Sequence, residues 1–149
     1  EPYLNGVARL LSEIVDERPE NIRIHADDVR PLLPRFADAS LAQVFILFPD
    51  PWPKARHNRR RLINTPLLDT LARLMGDGAE LRVATDDQDY LVWILRHLQA
   101  HPEFVWAARR ADDWRHRPGD WPDTRYEDKN RSGGPGPTFL RYTRIPRIG

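Results

Sequence analysis

The chain has 149 residues, room for one compact domain with its own core, and its 40% hydrophobic and 30% charged residues are globular rather than disordered in composition. The absence of cysteine excludes disulfides, thiolate nucleophiles and cysteine-ligated zinc, and the five histidines are scattered without ligand spacing. Net charge is only +1, so an anionic partner has to be met by local clusters of cations rather than by overall charge.

Taken in chain order, Leu4, Val7, Ala8, Leu11, Ile14 and Val15 recur at helical spacing and Pro19 follows as a stop, which predicts an amphipathic helix over the opening residues. NIRIH (21–25) reads as a short strand, and Val29, Leu32, Leu33 and Phe36 as a brief helix weakened by Pro31 and Pro34. VFILF (44–48) is apolar on both faces and predicts a strand buried between two layers, as in the middle of a helix-covered parallel sheet. Thr65 and Pro66 suit the N-cap and first turn of a helix carrying Leu67, Leu68, Leu71 and Leu74, ended by Gly76 or Gly78. AELRVAT (79–85) is the next strand, and Asp86 and Asp87 open a helix whose Leu91, Ile94, Leu95 and Leu98 face inward before Pro102 breaks it. Two later strands, EFVWAA and TFLRYTRI, flank a loop rich in proline, glycine and tryptophan. This order is that of an open α/β sheet in a single domain over residues 1–149. The longest unbroken apolar run, Val44 to Phe48, is far short of the roughly 20 residues that span a bilayer, and no signal-peptide pattern opens the chain, so a soluble cytoplasmic protein is expected.

In open α/β sheets ligands bind outside the carboxyl ends of the strands, and several acids fall there. Asp27 and Asp28 follow NIRIH, Asp50 follows VFILF, and Asp86 and Asp87 follow LRVAT. Asp27, Asp86 and Asp87 serve equally well as helix caps. Asp50 differs, because Pro49 and Pro51 restrict its backbone and preset the direction of its carboxylate; a fixed carboxylate can accept the ring N–H and exocyclic amino hydrogens of guanine through both oxygens, and a proline-rich turn is the plainer alternative. Trp52 serves either as a stacking platform for a base or as packing against the side of the sheet. Lys54, Arg56, Arg59, Arg60 and Arg61 place five cations in eight residues, the footprint of a phosphate-binding surface or of a solvated helix face. Glu1 suits a ribose diol, and Thr124 and Glu127 put a hydroxyl and a carboxylate close enough to meet one small ligand, although such a pair is also a common turn cap.

Together these segments resemble bacterial tRNA (guanine-N7)-methyltransferases. FPDPWPKARHNRRRL (48–62) is similar to that family's signature, with its Pro-Asp-Pro-Trp core, lysine and basic tail; ATDD (84–87) and TRYE (124–127) resemble two further motifs, and EPYLNGVARLL and NIRIHADDV also align, so the likeness runs over nearly the whole chain. The resemblance implies a Rossmann-like class I methyltransferase sheet with helices on both faces, S-adenosylmethionine as cofactor, and methylation of N7 of a guanine in the tRNA variable loop. It implies that Glu1 and Asp28 contact the ribose and adenine sides of the cofactor, and that Asp50 lies between cofactor and base as the catalytic residue. It further implies that Lys54, Asp86, Thr124, Arg125, Tyr126 and Glu127 bind substrate, while Arg56, Arg59, Arg60 and Arg61 meet tRNA phosphates. No metal or membrane is expected, and monomer and homodimer both stand.

The family's glycine-rich cofactor loop and first two strands are missing from the sequence, which opens at Glu1 without methionine. The expectation is therefore several dozen further residues at the N-terminus of the native protein, and no tight cofactor binding by these 149 residues alone. Two other functions compete: a magnesium-dependent phosphoryl-transfer enzyme built on the strand-end acids, and a non-catalytic tRNA-binding module using the arginines.

Overall fold

The computed structural model describes residues 3–17, 19–121 and 136–146, which gather into two compact units, residues 1–37 and 38–149.

The first unit holds α1 (Leu4–Glu17), whose first turn is closed by the Gly6 and Val7 amides donating to the Tyr3 carbonyl at 3.0 and 3.1 Å. The predicted apolar stripe is present, but only Val7 of it is deeply buried. A 3₁₀ turn, Leu33–Arg35, replaces the predicted helix around Leu32, and Pro34 inside it explains why no longer helix forms. NIRIH is not a strand. Residues 22–26 run without regular structure, because a strand needs a hydrogen-bonded neighbour and none lies beside this segment among the described residues.

The second unit is a four-stranded sheet with its helices: β1 (Leu41–Leu47), a 3₁₀ helix (Ala55–Arg60), α2 (Thr65–Leu74), β2 (Met75–Thr85), α3 (Gln88–Ala100), β3 (Phe104–Trp106), α4 (Asp112–Arg115) and β4 (Thr138–Arg144). The strand order is β1-β2-β4-β3. β1 and β2 are parallel, and β4 inserts antiparallel to both β2 and β3. α2 starts one residue earlier than the sequence suggests: the Asn64 side chain, not that of Thr65, accepts from the Leu67 amide at 3.0 Å, leaving Thr65 and Pro66 as the first turn. α3 is capped by Asp87, whose carboxylate accepts from the Tyr90 amide at 2.7 Å.

Side-chain alternation splits the sheet into two faces. Leu81, Val83, Leu140 and Tyr142 line one, and with Leu68, Leu74, Ile94 and Leu98 of the helices they form the fully buried core. Each such leucine or valine stabilises the fold by roughly 1.5–3 kcal/mol relative to leaving it exposed. Arg144 Nε donating to the Ala72 carbonyl at 3.1 Å, and His101 meeting Asp69 at 3.1 Å, tie α2 and the end of α3 to this same side. On the other face Glu80, Arg82, Ala84, Phe139 and Arg141 alternate with the core set, and α4 borders Arg141 there. Trp121 lies against that face, 5.3 Å from Phe139 and 6.0 Å from Phe45 between ring centroids. Arg82 is buried between the Phe45 and Trp121 rings, and pairs with Glu80 at 2.7 Å and Asp120 at 2.6 Å.

VFILF is a strand, as expected, but it is not enclosed. Phe45 is 44% and Leu47 38% exposed. β1 is the edge of the sheet among the described residues, and Trp121 and Arg82 lie against its Phe45.

Candidate active site

The site grows from the carboxyl ends of β1 and β2. Their parallel register pairs Leu47 with Ala84, and the Phe48 amide extends the ladder by donating to the Ala84 carbonyl at 2.8 Å. Asp50 and Asp86 therefore both follow this end of the sheet, three residues past Leu47 and two past Ala84, the last residues to pair between the two strands. β4 begins at the same edge, since Thr138 pairs with Thr85. Thr124, Arg125, Tyr126 and Glu127 precede that point in the sequence, and those four residues, like Glu1, lie outside the described residues.

Phe48 and Trp52 flank the Asp50 segment with φ of 50° and 46°. Left-handed backbone at bulky aromatics costs on the order of 1–3 kcal/mol each and persists only where surrounding structure imposes it. Here Phe48 is held by the ladder bond and by packing on Ala84, Trp121 and Phe139. The two turned residues, with Pro49 and Pro51 between them, leave Asp50 exposed, and no hydrogen bond or ion pair among the described residues occupies its carboxylate. That carboxylate is felt by Tyr90 of α3: burial raises the phenol above its ordinary value, and the Asp50 charge pushes the same way.

The basic run forms the 3₁₀ helix Ala55–Arg60, entered through the Lys54 carbonyl, which accepts from the His57 amide at 2.7 Å. Lys54, Arg56, Arg59 and Arg60 are exposed. Arg60 stacks its guanidinium 4.9 Å from the centre of the Trp52 ring, whose edge-on partner is His57 at 5.9 Å. Trp52 thus presents one face to an arginine of its own loop.

Arg61, grouped by sequence with the phosphate-binding arginines, is placed differently. Its side chain is 1% exposed; Nε donates to the Pro51 carbonyl at 2.8 Å, one terminal nitrogen pairs with Asp89, and the guanidinium lies 5.1 Å from both the Tyr90 and Trp93 ring centres. A charge so enclosed cannot face a phosphate, and what buries it is the return of the chain into the core at Ile63. There the Tyr90 hydroxyl accepts from the Ile63 amide at 3.1 Å and Trp93 Nε1 donates to its carbonyl at 2.7 Å. Asp89, Tyr90 and Trp93 did not stand out in the sequence as site residues; the available signal was two aromatics and an acid on the first turns of the helix that follows ATDD.

Asp28 belongs to the first unit. Its carboxylate accepts from Arg30 Nε at 3.0 and 2.9 Å, and the Arg30 side chain and amide hold it below the ordinary aspartate range. Asp86 is exposed, next to the capping Asp87. Among the described residues no three His, Asp or Glu side chains converge as a metal site, and no helix is long and apolar enough to cross a membrane.

The sheet, with its parallel β1–β2 pair and antiparallel β4, is Rossmann-like, of the kind class I methyltransferases use. A SAM-dependent O-methyltransferase from Thermotoga maritima superposes with a TM-score of 0.57 at 14% identity, covering 100% of this chain and 49% of that one, a likeness of fold alone. The chain belongs to the family described as "Putative methyltransferase", whose model matches residues 1–138. Among curated relatives, proteins named tRNA (guanine-N(7)-)-methyltransferase are 50% identical over 147 residues in Rhodospirillum rubrum, 48% over 148 in Paramagnetospirillum magneticum and 45% over 145 in Azorhizobium caulinodans. These alignments cover 97–99% of this chain but only 58–63% of the relatives, so the chain spans about three-fifths of their length.

Proposed function

We propose that this chain is the guanine-binding and tRNA-binding part of an enzyme that methylates N7 of a guanine in tRNA. The observation that carries the reading is the Asp50 loop: an exposed carboxylate with no hydrogen bond or ion pair among the described residues, set between the left-handed Phe48 and Trp52 past the end of β1, followed directly by a short helix, with Lys54, Arg56, Arg59 and Arg60 exposed. The relatives' names favour the same activity.

S-adenosylmethionine supplies a methyl group on a positively charged sulfur. The residue types suit such a ligand by chemistry, each taken by itself: Glu1 and Asp28 are carboxylates able to accept from ribose hydroxyls or an adenine amino group, and Asp50 is an anion beside which a cation is favourable. Asp28 would first have to share or release Arg30.

Guanine N7 already carries a lone pair, so no base is needed to generate the nucleophile. What remains is alignment and charge. Asp50 accepts the guanine ring N–H and amino hydrogens, fixing the base, and offsets the positive charge the purine acquires. Lys54, Asp86 and the residues Thr124, Arg125, Tyr126 and Glu127 hold the nucleotide, while Arg56, Arg59 and Arg60 bind flanking phosphates as a screened, salt-sensitive surface. The tRNA is then the partner, and the cytoplasm the compartment. The test is methyl transfer from labelled cofactor to unmodified tRNA by the full-length protein, with the modified position mapped. Product at N7 supports the reading; product at an amino group or ribose sinks it.

A further inference from the structure

Arg61 stands apart from its neighbours in the basic run. The exposed cations fit a phosphate surface, but this guanidinium is sealed inside the loop, and its polar partners among the described residues are the Pro51 carbonyl and Asp89. Pro51 directly follows Asp50, so the Arg61–Pro51 hydrogen bond acts one peptide away from the carboxylate assigned to the base.

The far end of the clamp is anchored. Asp89 and Tyr90 lie in the first turn of α3, Trp93 one turn on, and α3 is packed through Ile94 and Leu98, both fully buried. The backbone of Arg61 is fixed as well, its amide donating to the Asn58 carbonyl at 3.0 Å and its carbonyl accepting from Asn64 Nδ2 at 3.1 Å. A strained segment such as Phe48–Trp52 keeps its shape only if something over-determines it. At the Phe48 end the sheet does this. At the other end Arg60 and His57 contact the Trp52 ring, and Arg61 holds the backbone through the Pro51 carbonyl.

We infer that Arg61 is a positioning residue for the proposed reaction: clamped by Asp89, Tyr90 and Trp93, it holds the Pro51 carbonyl and so aims the Asp50 carboxylate at the base. The inference rests on the methyltransferase reading. It separates Arg61 from Arg56, Arg59 and Arg60 by kinetic signature, since an orientation defect lowers kcat whereas removal of a phosphate-binding cation raises KM. Lysine cannot reproduce the role, because one ammonium cannot span the Pro51 carbonyl and Asp89 in the fork geometry of a guanidinium.

The experiment measures kcat and KM for tRNA with full-length wild type, Arg61→Lys and Asp89→Asn, each at a temperature well below its melting transition. Asp89 is 73% exposed and asparagine keeps an acceptor oxygen for Arg61, so Asp89→Asn is the milder perturbation and tests the clamp independently of Arg61→Lys. The expected result is a kcat lower by about 10- to 100-fold in Arg61→Lys and by about 3- to 10-fold in Asp89→Asn, with KM within about threefold of wild type in both. Two outcomes overturn the inference with the reading intact: an active wild type with unchanged kcat in the variants, or a raised KM at unchanged kcat. An inactive wild type removes the reading and the inference with it.

Discussion

Two buried tyrosines should respond in opposite directions to the same substitution. Tyr90 and Tyr142 are 0% and 1% exposed. The Tyr90 hydroxyl accepts from the buried Ile63 amide at 3.1 Å, whereas that of Tyr142 has no hydrogen-bond partner among the described residues, and burial pushes its pKa up to about 12. Tyr90→Phe keeps the ring beside Arg61 but strands a buried N–H, a cost of about 1–3 kcal/mol. Tyr142→Phe keeps the stack on Trp106, at 6.3 Å between centroids, and removes a desolvated hydroxyl that gains nothing. The expectation is a Tm lower by roughly 4–8 °C for Tyr90→Phe, at about 2 kcal/mol in a protein of this size class, and a Tm unchanged or raised by a few degrees for Tyr142→Phe. Differential scanning calorimetry of the two variants beside wild type reads both shifts. Equal destabilisation by the two substitutions, or a Tyr90→Phe melting point within about 1 °C of wild type, would refute the hydrogen-bond reasoning.

Asp50→Ala should lower kcat by about 10²–10³-fold while tRNA affinity by filter binding stays within about threefold; near-normal turnover would remove Asp50 from its assigned role. Arg56→Ala, Arg59→Ala and Arg60→Ala combined should weaken tRNA binding and reduce the slope of log K against log salt by about 0.7–0.9 for each phosphate no longer neutralised, and an unchanged slope would place the phosphates elsewhere. Arg141 and then Arg82 hold the Glu80 carboxyl below its ordinary 4.5. A depressed folded-state pKa gives stability that is present above the unfolded value and lost as pH falls, so Tm should drop on acidification below about pH 4.5, and less steeply in Glu80→Gln. Tyr142 has the opposite sign: its raised pKa gives stability present below pH 10.0 and lost as pH climbs toward about 12, a loss that Tyr142→Phe should reduce in alkaline melts.

Much of this site is written locally. Asp50 between two prolines is visible in the sequence because the restriction is covalent, and α3 is visible because Asp87 and the spacing of Leu91, Ile94 and Leu98 are local signals. Depth is not local. VFILF is apolar on both faces, yet Phe45 and Leu47 remain exposed, because burial of a strand is decided by what packs against it from elsewhere. NIRIH has the composition of a strand but needs a neighbour to become one. The left-handed turns at Phe48 and Trp52 run against the local preference of aromatic residues and are imposed by the ladder bond and loop packing, so no residue pattern announces them. Arg61 is hidden for another reason: in a row of three arginines, nothing in the spacing says which one turns inward, and only the position of Asp89, Tyr90 and Trp93 decides it.

The most direct measurement is the position of the methyl group. Full-length protein, unmodified tRNA and cofactor carrying a labelled methyl are incubated, and the product is cleaved at 7-methylguanosine and mapped by mass spectrometry. The expected result is label at N7 of a guanine in the variable loop, formed about 10²–10³-fold more slowly by Asp50→Ala. Label on another atom, or tRNA bound tightly and never methylated, would contradict the proposed activity.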